Sequence, residues 1–169
     1  MTYIRISVRL LKGYSRNLEI DDTDRRILNA LQRKGRLSNL ELSEAVNLSA
    51  SACHRRVSIL EKEGFIKDYV ALLDPQKIDR KTTVFVEITL SSQSEEALDS
   101  FEKELRLIPD VLECHLMAGT ADYLLKIVCA DTEDFARIHR RHLSRLPHVN
   151  QMQSSFALRT VFKTTALPV

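Results

Sequence analysis

Residues 35–64 read GRLSNLELSEAVNLSASACHRRVSILEKEG, and they decide how the N-terminal part of the chain folds. Ser38 stands where a helix N-cap belongs, since a short hydroxyl side chain can accept the unpartnered N–H groups of a first helical turn. The helix it opens places Leu42 and Val46 one turn apart on a single apolar face. Asn47 and Leu48 then make a short turn into Ser49, a second N-cap. Cys53, Val57 and Leu60 recur at i, i+4 and i+7 as an inward stripe, and Gly64 ends the second helix. Left outward on that helix are Ser51, His54, Arg55 and Ser58, at i, i+3, i+4 and i+7. One face is apolar; the other is small, polar and cationic.

That division suits a helix lying in the major groove of duplex DNA. Small residues near its N-terminus let the backbone approach base edges. Arg55 can offer two coplanar donors to a guanine, while His54 and the serines can bond bases or phosphates. Arg56 lies nearer the protein side and is expected to contact a phosphate or to pair with Glu44 or Glu63. Ser38, Ser49, Ser51, His54, Arg55, Arg56 and Ser58 are therefore the candidate DNA-binding residues. A basic dipeptide on a helix is more often only a solvated face, and it is the doubly capped turn beside it that favours groove reading here.

An upstream segment completes a three-helix unit. Ile20 to Asp24 set up a capped start with acids in the first turn, Ile27, Leu28 and Leu31 supply a core face, and Gly35 closes the helix. The run LEIDDTDRRILNALQRKGRLSNLELSEAVNLSASACHRRVSILEKEGFI, residues 18–66, resembles the N-terminal domain of the leucine-responsive regulatory protein (Lrp/AsnC) family of transcription regulators.

Charge and composition point the same way. Residues 1–17 hold four bases and no acid, residues 18–67 nine bases and eight acids, and residues 68–169 twelve bases and fifteen acids. A basic end facing DNA and a slightly acidic assembly end fit that asymmetry, although position of charge matters more here than amount. Nothing approaches the apolar length of a membrane span, and the N-terminus lacks the uninterrupted apolar core of a secretory signal, so a cytoplasmic protein is expected. Cys53, Cys114 and Cys129 are odd in number, widely spaced and set in apolar patterns, which favours buried reduced thiols over disulfides or zinc. Residues 1–17 alternate Ile4, Ile6, Val8 and Leu10 with Arg5, Ser7 and Arg9. An edge strand, a basic arm on phosphates and residues extraneous to the native chain all remain open there.

Beyond Gly64, residues 67–80 read as a linker, broken at Asp74-Pro75, and residues 81–169 as a second domain. Thr82 to Leu90 is β-branched and aromatic, hence a strand. Ser94 caps a helix with Leu98, Phe101 and Leu105 on one face, stopped by Pro109-Asp110. Val111 to Met117 and Tyr123 to Cys129 are further strands, a helix runs from about Thr132 to Leu146, and the last strand runs from Val149 to about Leu158. The order βαββαβ predicts an α+β protein, a helix-turn-helix domain followed by a ferredoxin-like (ACT-like) domain. Two helices cover one face of such a sheet, and the other face needs its own partner. A homodimer packed sheet against sheet is expected, presenting two recognition helices at a fixed spacing.

The resemblance to the Lrp/AsnC family extends through VFVEITL, ECHLMAGTADYLLK and RLPHVN, over about residues 18–160. It implies a ligand-responsive regulator whose C-terminal domain senses an amino acid and dimerises, with dimers assembling to an octamer. A free amino acid is a zwitterion with one variable side chain. A pocket for it wants a carboxylate for the ammonium, backbone N–H groups for the carboxylate and an apolar wall. The loop around Gly119 offers that set and matches the family's Gly-x-x-Asp-Tyr pattern. Gly119 permits close approach, Asp122 can accept the ammonium, and Tyr123 with Leu116 and Met117 can supply wall. A turn that merely joins two strands would use Gly and Asp as well. Two positions depart from many relatives: Thr120 follows the loop glycine in place of an acid, and Met152 and Ser154 stand on the fourth strand where threonines are common. The candidate effector residues are thus Leu116, Met117, Gly119, Thr120, Asp122, Tyr123 and Ser154, with leucine or methionine as effector.

Competing classes leave weaker traces. His139 and His142 share a helix face with Phe135 and Ile138, but no Cys or acid stands at ligand spacing, so no metal or other cofactor is expected. Siroheme decarboxylases are similar to this family in both domains and would make the chain an enzyme. No Ser-His-Asp set, paired acids or phosphate loop is visible, and no catalytic residue is assigned. A ligand-independent DNA-architectural protein is the third reading.

Overall fold

The computed structural model describes residues 19–169. The chain divides into two compact units, the first formed by residues up to Val70 together with Thr164–Val169, the second by Ala71–Lys163.

The first unit has three helices: α1 (Asp22–Arg33), α2 (Asn39–Ala45) and α3 (Ala50–Lys62). Each begins at a side-chain cap. Asp21 accepts from the N–H groups of Thr23 and Asp24, Ser38 from that of Glu41, and Ser49 from that of Ala52. The Asp21 and Ser38 caps are reciprocal boxes, with Asp24 and Glu41 reaching back to the cap N–H. Ile27, Leu28, Leu42, Val46, Cys53 and Leu60 form the core of the unit, with Leu31 and Val57 packed against it as partly buried residues. These are the apolar positions that the helical periods select.

The turn between α2 and α3 is set by Asn47, whose φ of 57° lies in the left-handed region. Its N–H donates to the Glu44 carbonyl, and that of Leu48 donates to the Ser43 carbonyl at 2.9 Å. The two bonds make a Schellman closure, which satisfies the Ser43 and Glu44 carbonyls at the end of α2. Asparagine serves where glycine is usual because its short polar side chain tolerates this backbone. Gly64, at φ 78°, plays the corresponding part after α3.

The second unit contains β1 (Thr82–Leu90), α4 (Glu95–Leu105), β2 (Val111–Leu116), β3 (Tyr123–Cys129), α5 (Thr132–Arg141), a 3-10 turn (Leu143–Arg145) and β4 (Val149–Phe156). The strands form one antiparallel sheet in the order β2-β3-β1-β4, the ferredoxin-like arrangement. Val84, Val86 and Ile88 of β1 and Leu125 and Ile127 of β3 point to the helix-covered side and are fully buried, with Phe101 and Ile138 from the helices. Buried residues alternate with exposed or partly buried ones along β1 and β3, as in a sheet with one packed face.

Three local expectations are corrected. The last helix ends at Arg141, not near Leu146. His142 leaves helical geometry, and the tighter turn that follows aligns Leu143 and Leu146, three apart, so that both are buried. The final strand stops at Phe156. Cys114 is an exposed residue on the edge strand β2, whereas Cys53 and Cys129 are buried; its thiol is nonetheless crowded enough that burial pushes it up to about 11.

Asn47→Gly is expected to leave stability nearly unchanged, and Asn47→Val to cost about 1–2 kcal/mol, because a β-branched side chain is strained in the left-handed region. Denaturant unfolding of the two variants checks this. Equal stability would show that the turn does not depend on its left-handed residue.

Candidate nucleic-acid interface and effector loop

The outward face of α3 is assembled as its sequence implies. Ser51, His54, Arg55 and Ser58 are all exposed, and Cys53 and Leu60 on the opposite side are buried. Ser49 and Ser51 lie hydroxyl to hydroxyl at 3.3 Å at the start of the helix, where N–H groups and the positive end of the helix dipole favour an anion. Asn39 ties the start of α2 to the start of α3 by donating from Nδ2 to the Ala50 carbonyl at 2.9 Å. Sequence reading missed that bridge, because an exposed Asn at a helix start has many uses. Ser38 is exposed, but its hydroxyl is engaged with Glu41 at 2.8 Å. The backbone N–H of Ser38, aided by that hydroxyl, holds the Glu41 carboxyl below its usual range.

Arg56 has different partners from those expected. Its Nη1 lies 2.8 Å from Asp21 and 2.7 Å from Asp24, the capping box of α1, and not beside Glu44 or Glu63. The Asp24 bond, followed by that of Asp21, raises the guanidinium pKa further. The Asp24 backbone N–H together with Arg56 holds the Asp21 carboxyl below its usual range. The acids of a first turn are thus used twice, once for the cap and once to fix how α3 is rotated against α1. Arg55 and Arg56, adjacent in sequence, have separate tasks: one faces outward, the other locks the helix that carries it.

The loop between β2 and β3 is built around Asp122. Its N–H donates to the Ile88 carbonyl and its carbonyl accepts from the Met117 N–H. Its carboxylate is buried and accepts from the Leu90 N–H at 2.7 Å and from Gln93 Nε2 at 2.6 Å. The Leu90 N–H needs this acceptor because β1 runs past the end of β3, their pairing stopping at Ile88 opposite Tyr123. Gln93 is the partner that sequence reading missed, at a separation of 29 residues. Tyr123 is a core residue, packed against Phe101 with ring centroids 4.7 Å apart and planes tilted by 35°, and its hydroxyl donates to Glu102 at 2.9 Å. Burial, then the Glu102 carboxylate, pushes that phenol well above its usual range. Leu116 and Met117 are exposed, as are Gly119 and Thr120. Leu116 and Tyr123 share a cleft of about 240 Å³ with Glu102, Leu105, Arg106 and Cys114. Ser154 is not brought to this loop. It lies on β4, opposite Val86 of β1 and at the other edge of the sheet from Leu116, and Met152 occupies the level of Tyr123 through Ile88.

Residues 20–67 match the family model of a winged helix-turn-helix DNA-binding domain, and residues 83–167 match that of the Lrp/AsnC ligand binding domain. The leucine-responsive regulatory protein of Escherichia coli K12 is 39% identical over 151 residues, 89% of this chain and 92% of the relative. The chain belongs to the Lrp/AsnC family. A solved Neisseria meningitidis transcriptional regulator, in complex with L-Met, has a TM-score of 0.85 at 37% identity, covering 89% of this chain and 97% of its own. An AsnC family transcriptional regulator from Agrobacterium tumefaciens also gives 0.85 and 37%, over 88% and 97%. This Lrp/AsnC-family protein is therefore a DNA-binding transcription regulator with a ligand-binding domain. Among the described residues no group of three His, Cys, Asp or Glu side chains could hold a metal ion, and no helix is long and apolar enough to cross a membrane.

The two arginines separate in their expected effects. Arg55→Ala should cost about 1–3 kcal/mol of DNA affinity and relax base preference at one position, with stability unchanged. Arg56→Ala should lower the stability of the first unit by about 1 kcal/mol, the scale of a partly exposed pair, and leave base preference intact. Binding measured on single-base-substituted sites, with unfolding of both variants, checks this; a specificity change in Arg56→Ala would place it at the bases.

Asp122→Ala strands the buried Leu90 N–H and should destabilise the second unit by about 1–3 kcal/mol. Asp122→Asn, which keeps one acceptor oxygen, should lose less. Thermal unfolding checks the order, and an unchanged Asp122→Ala would show that the loop does not depend on this carboxylate.

Proposed function

We propose that this regulator binds near-palindromic duplex DNA as a homodimer, that dimers assemble to an octamer, and that a free amino acid, leucine or methionine, shifts that assembly. The observation that carries the DNA reading is the capped α3 with His54, Arg55, Ser51 and Ser58 outward and its rotation locked by Arg56. Ser38 and Ser49 contribute as caps whose helix starts face phosphate.

The sheet supports the dimer. Phe85 and Leu112, on its uncovered face, are 39% and 57% exposed, and with Leu73, Ile78 and Phe162 they line a cleft of about 580 Å³. Apolar surface of this kind on a sheet face is stable in water when a second sheet covers it. A sheet-on-sheet pair presents two copies of α3 at a fixed half-site spacing.

For the effector, the names of relatives favour leucine or methionine, one being a leucine-responsive regulator and another solved with L-Met. Exposed Leu116, Met117, Gly119 and Thr120 form the contact surface, and Asp122 holds the loop in shape from beneath. An effector changes DNA binding only through a difference in its affinity for two assemblies, typically with ~1–3 kcal/mol of coupling.

Competition binding to random genomic fragments, with and without the twenty amino acids, tests the reading. Discrete near-palindromic fragments should be enriched with a specificity ratio on the order of 10³ or more. A diffuse pool would favour a DNA-architectural protein. Gly119→Ala is the matching probe of the loop. A Cβ there meets open space, so the fold should be unaffected while the amino-acid response weakens. An unaltered response would remove the loop from the effector site.

A further inference from the structure

We propose that Thr164–Val169 is a latch read by the outer face of α1, and that it gives the DNA-binding unit a second attachment to the rest of the chain besides residues 67–80. The chain leaves the first unit after Val70 and returns to it at Thr164. There the Gln32 side chain pairs with both backbone groups of one residue: Nε2 donates to the Leu167 carbonyl at 3.0 Å, and the Leu167 N–H donates to Oε1 at 2.6 Å. One turn earlier on α1, Asn29 Nδ2 donates to the Val169 carbonyl at 3.3 Å.

The tail's sequence suits this recognition. A carboxamide can satisfy the N–H and C=O of the same residue only where both point to one side, as they do in an extended chain. Leu167 precedes Pro168, whose ring excludes the helical region for the residue before it. Pro168 also brings no N–H that would need a partner. Thr164 Oγ1 accepts the Ala166 N–H at 3.1 Å and shapes the entry. The Leu167 side chain is 70% exposed, so the contact reads backbone and not side chain.

The helix that holds the latch is also the helix whose Asp21 and Asp24 hold Arg56 of α3. Anchoring α1 therefore anchors the recognition helix. A unit attached at two points has fewer orientations relative to its own chain than one attached at a single linker, and paired binding to two half-sites gains from that restriction through effective concentration. Binding of one unit to one half-site does not.

The test uses the full chain and two readouts. Gln32→Ala should raise hydrogen exchange at the Leu167 amide by roughly two- to tenfold, the scale of one exposed hydrogen bond. Gln32→Glu, which keeps the acceptor and loses the donor, should fall between that variant and the parent. In Gln32→Ala, affinity for DNA with two half-sites should fall several-fold while affinity for a single half-site is unchanged. Parental exchange in Gln32→Ala overturns the latch, and so does exchange that rises on dilution, which would assign the tail to a neighbouring copy. Lost protection with unchanged two-site affinity overturns its role in pairing. The DNA readout rests on the regulator reading above, and a parent protein that binds neither DNA refutes that reading while the exchange readout still decides the latch.

Discussion

The constraint on which this structure depends is that backbone N–H groups at the ends of its elements need acceptors. Asp21, Ser38, Ser49, Ser94 and Asp131 each supply a side-chain oxygen to the start of a helix. Asp122 does the same for Leu90 where β1 runs past the end of β3, and Gln32 for Leu167 in the tail. Among the described residues no buried side-chain nitrogen or oxygen is left without a partner. Several of these groups then acquire a second use. The Asp21–Asp24 box also holds Arg56, and the Ser49 cap stands beside Ser51 at the start of α3.

How much of this the sequence discloses depends on whether a residue's partner is local. Caps at Ser38 and Ser49 are legible because donor and acceptor are three residues apart. The strands Thr82–Leu90 and Tyr123–Cys129 are legible to the residue, the first from its run of β-branched and aromatic side chains. The partner of Arg56 is not legible. Glu44 and Glu63 lie close to it in sequence, but the acids that meet it are 32 and 35 residues away on another helix. Nor is the role of Asp122, because the N–H it serves is left over where β1 outruns β3, and no local pattern announces where that pairing stops. The end of α5 fails for a related reason. Leu143 and Leu146 suit a helical period and a tighter turn alike, and the core decides between them.

The candidate DNA face was legible as a face, though not as a division of labour. Periodicity separates Ser51, His54, Arg55 and Ser58 from Cys53, Val57 and Leu60, and it places Arg56 between the two sets. What that intermediate position is for follows from charge. A guanidinium 30% exposed, with Nη1 bonded to two carboxylates, is paired within the protein. The effector loop was less legible, because a glycine and an aspartate between two strands serve a turn and a binding site equally well. Asp122 is committed beneath the loop, while Gly119 is required by neither space nor backbone angle.

A helix-turn-helix unit this small has its stability and its aim controlled by the same few contacts. Among the described residues its core holds six buried apolar side chains, so a pair such as Arg56 with Asp21 and Asp24 weighs more here than in a larger domain. Two of the three helices meet at that pair, and α1 also carries Asn29 and Gln32 on a separate face. A change that loosens α1 therefore reaches the recognition helix without touching a DNA-facing residue. In the proposed reading α3 keeps its outward face clear for bases, whereas α1 has a core face, an acidic cap and an outer face that can each be engaged at once, so on that reading α1 and not α3 is the element through which other contacts would act on DNA reading.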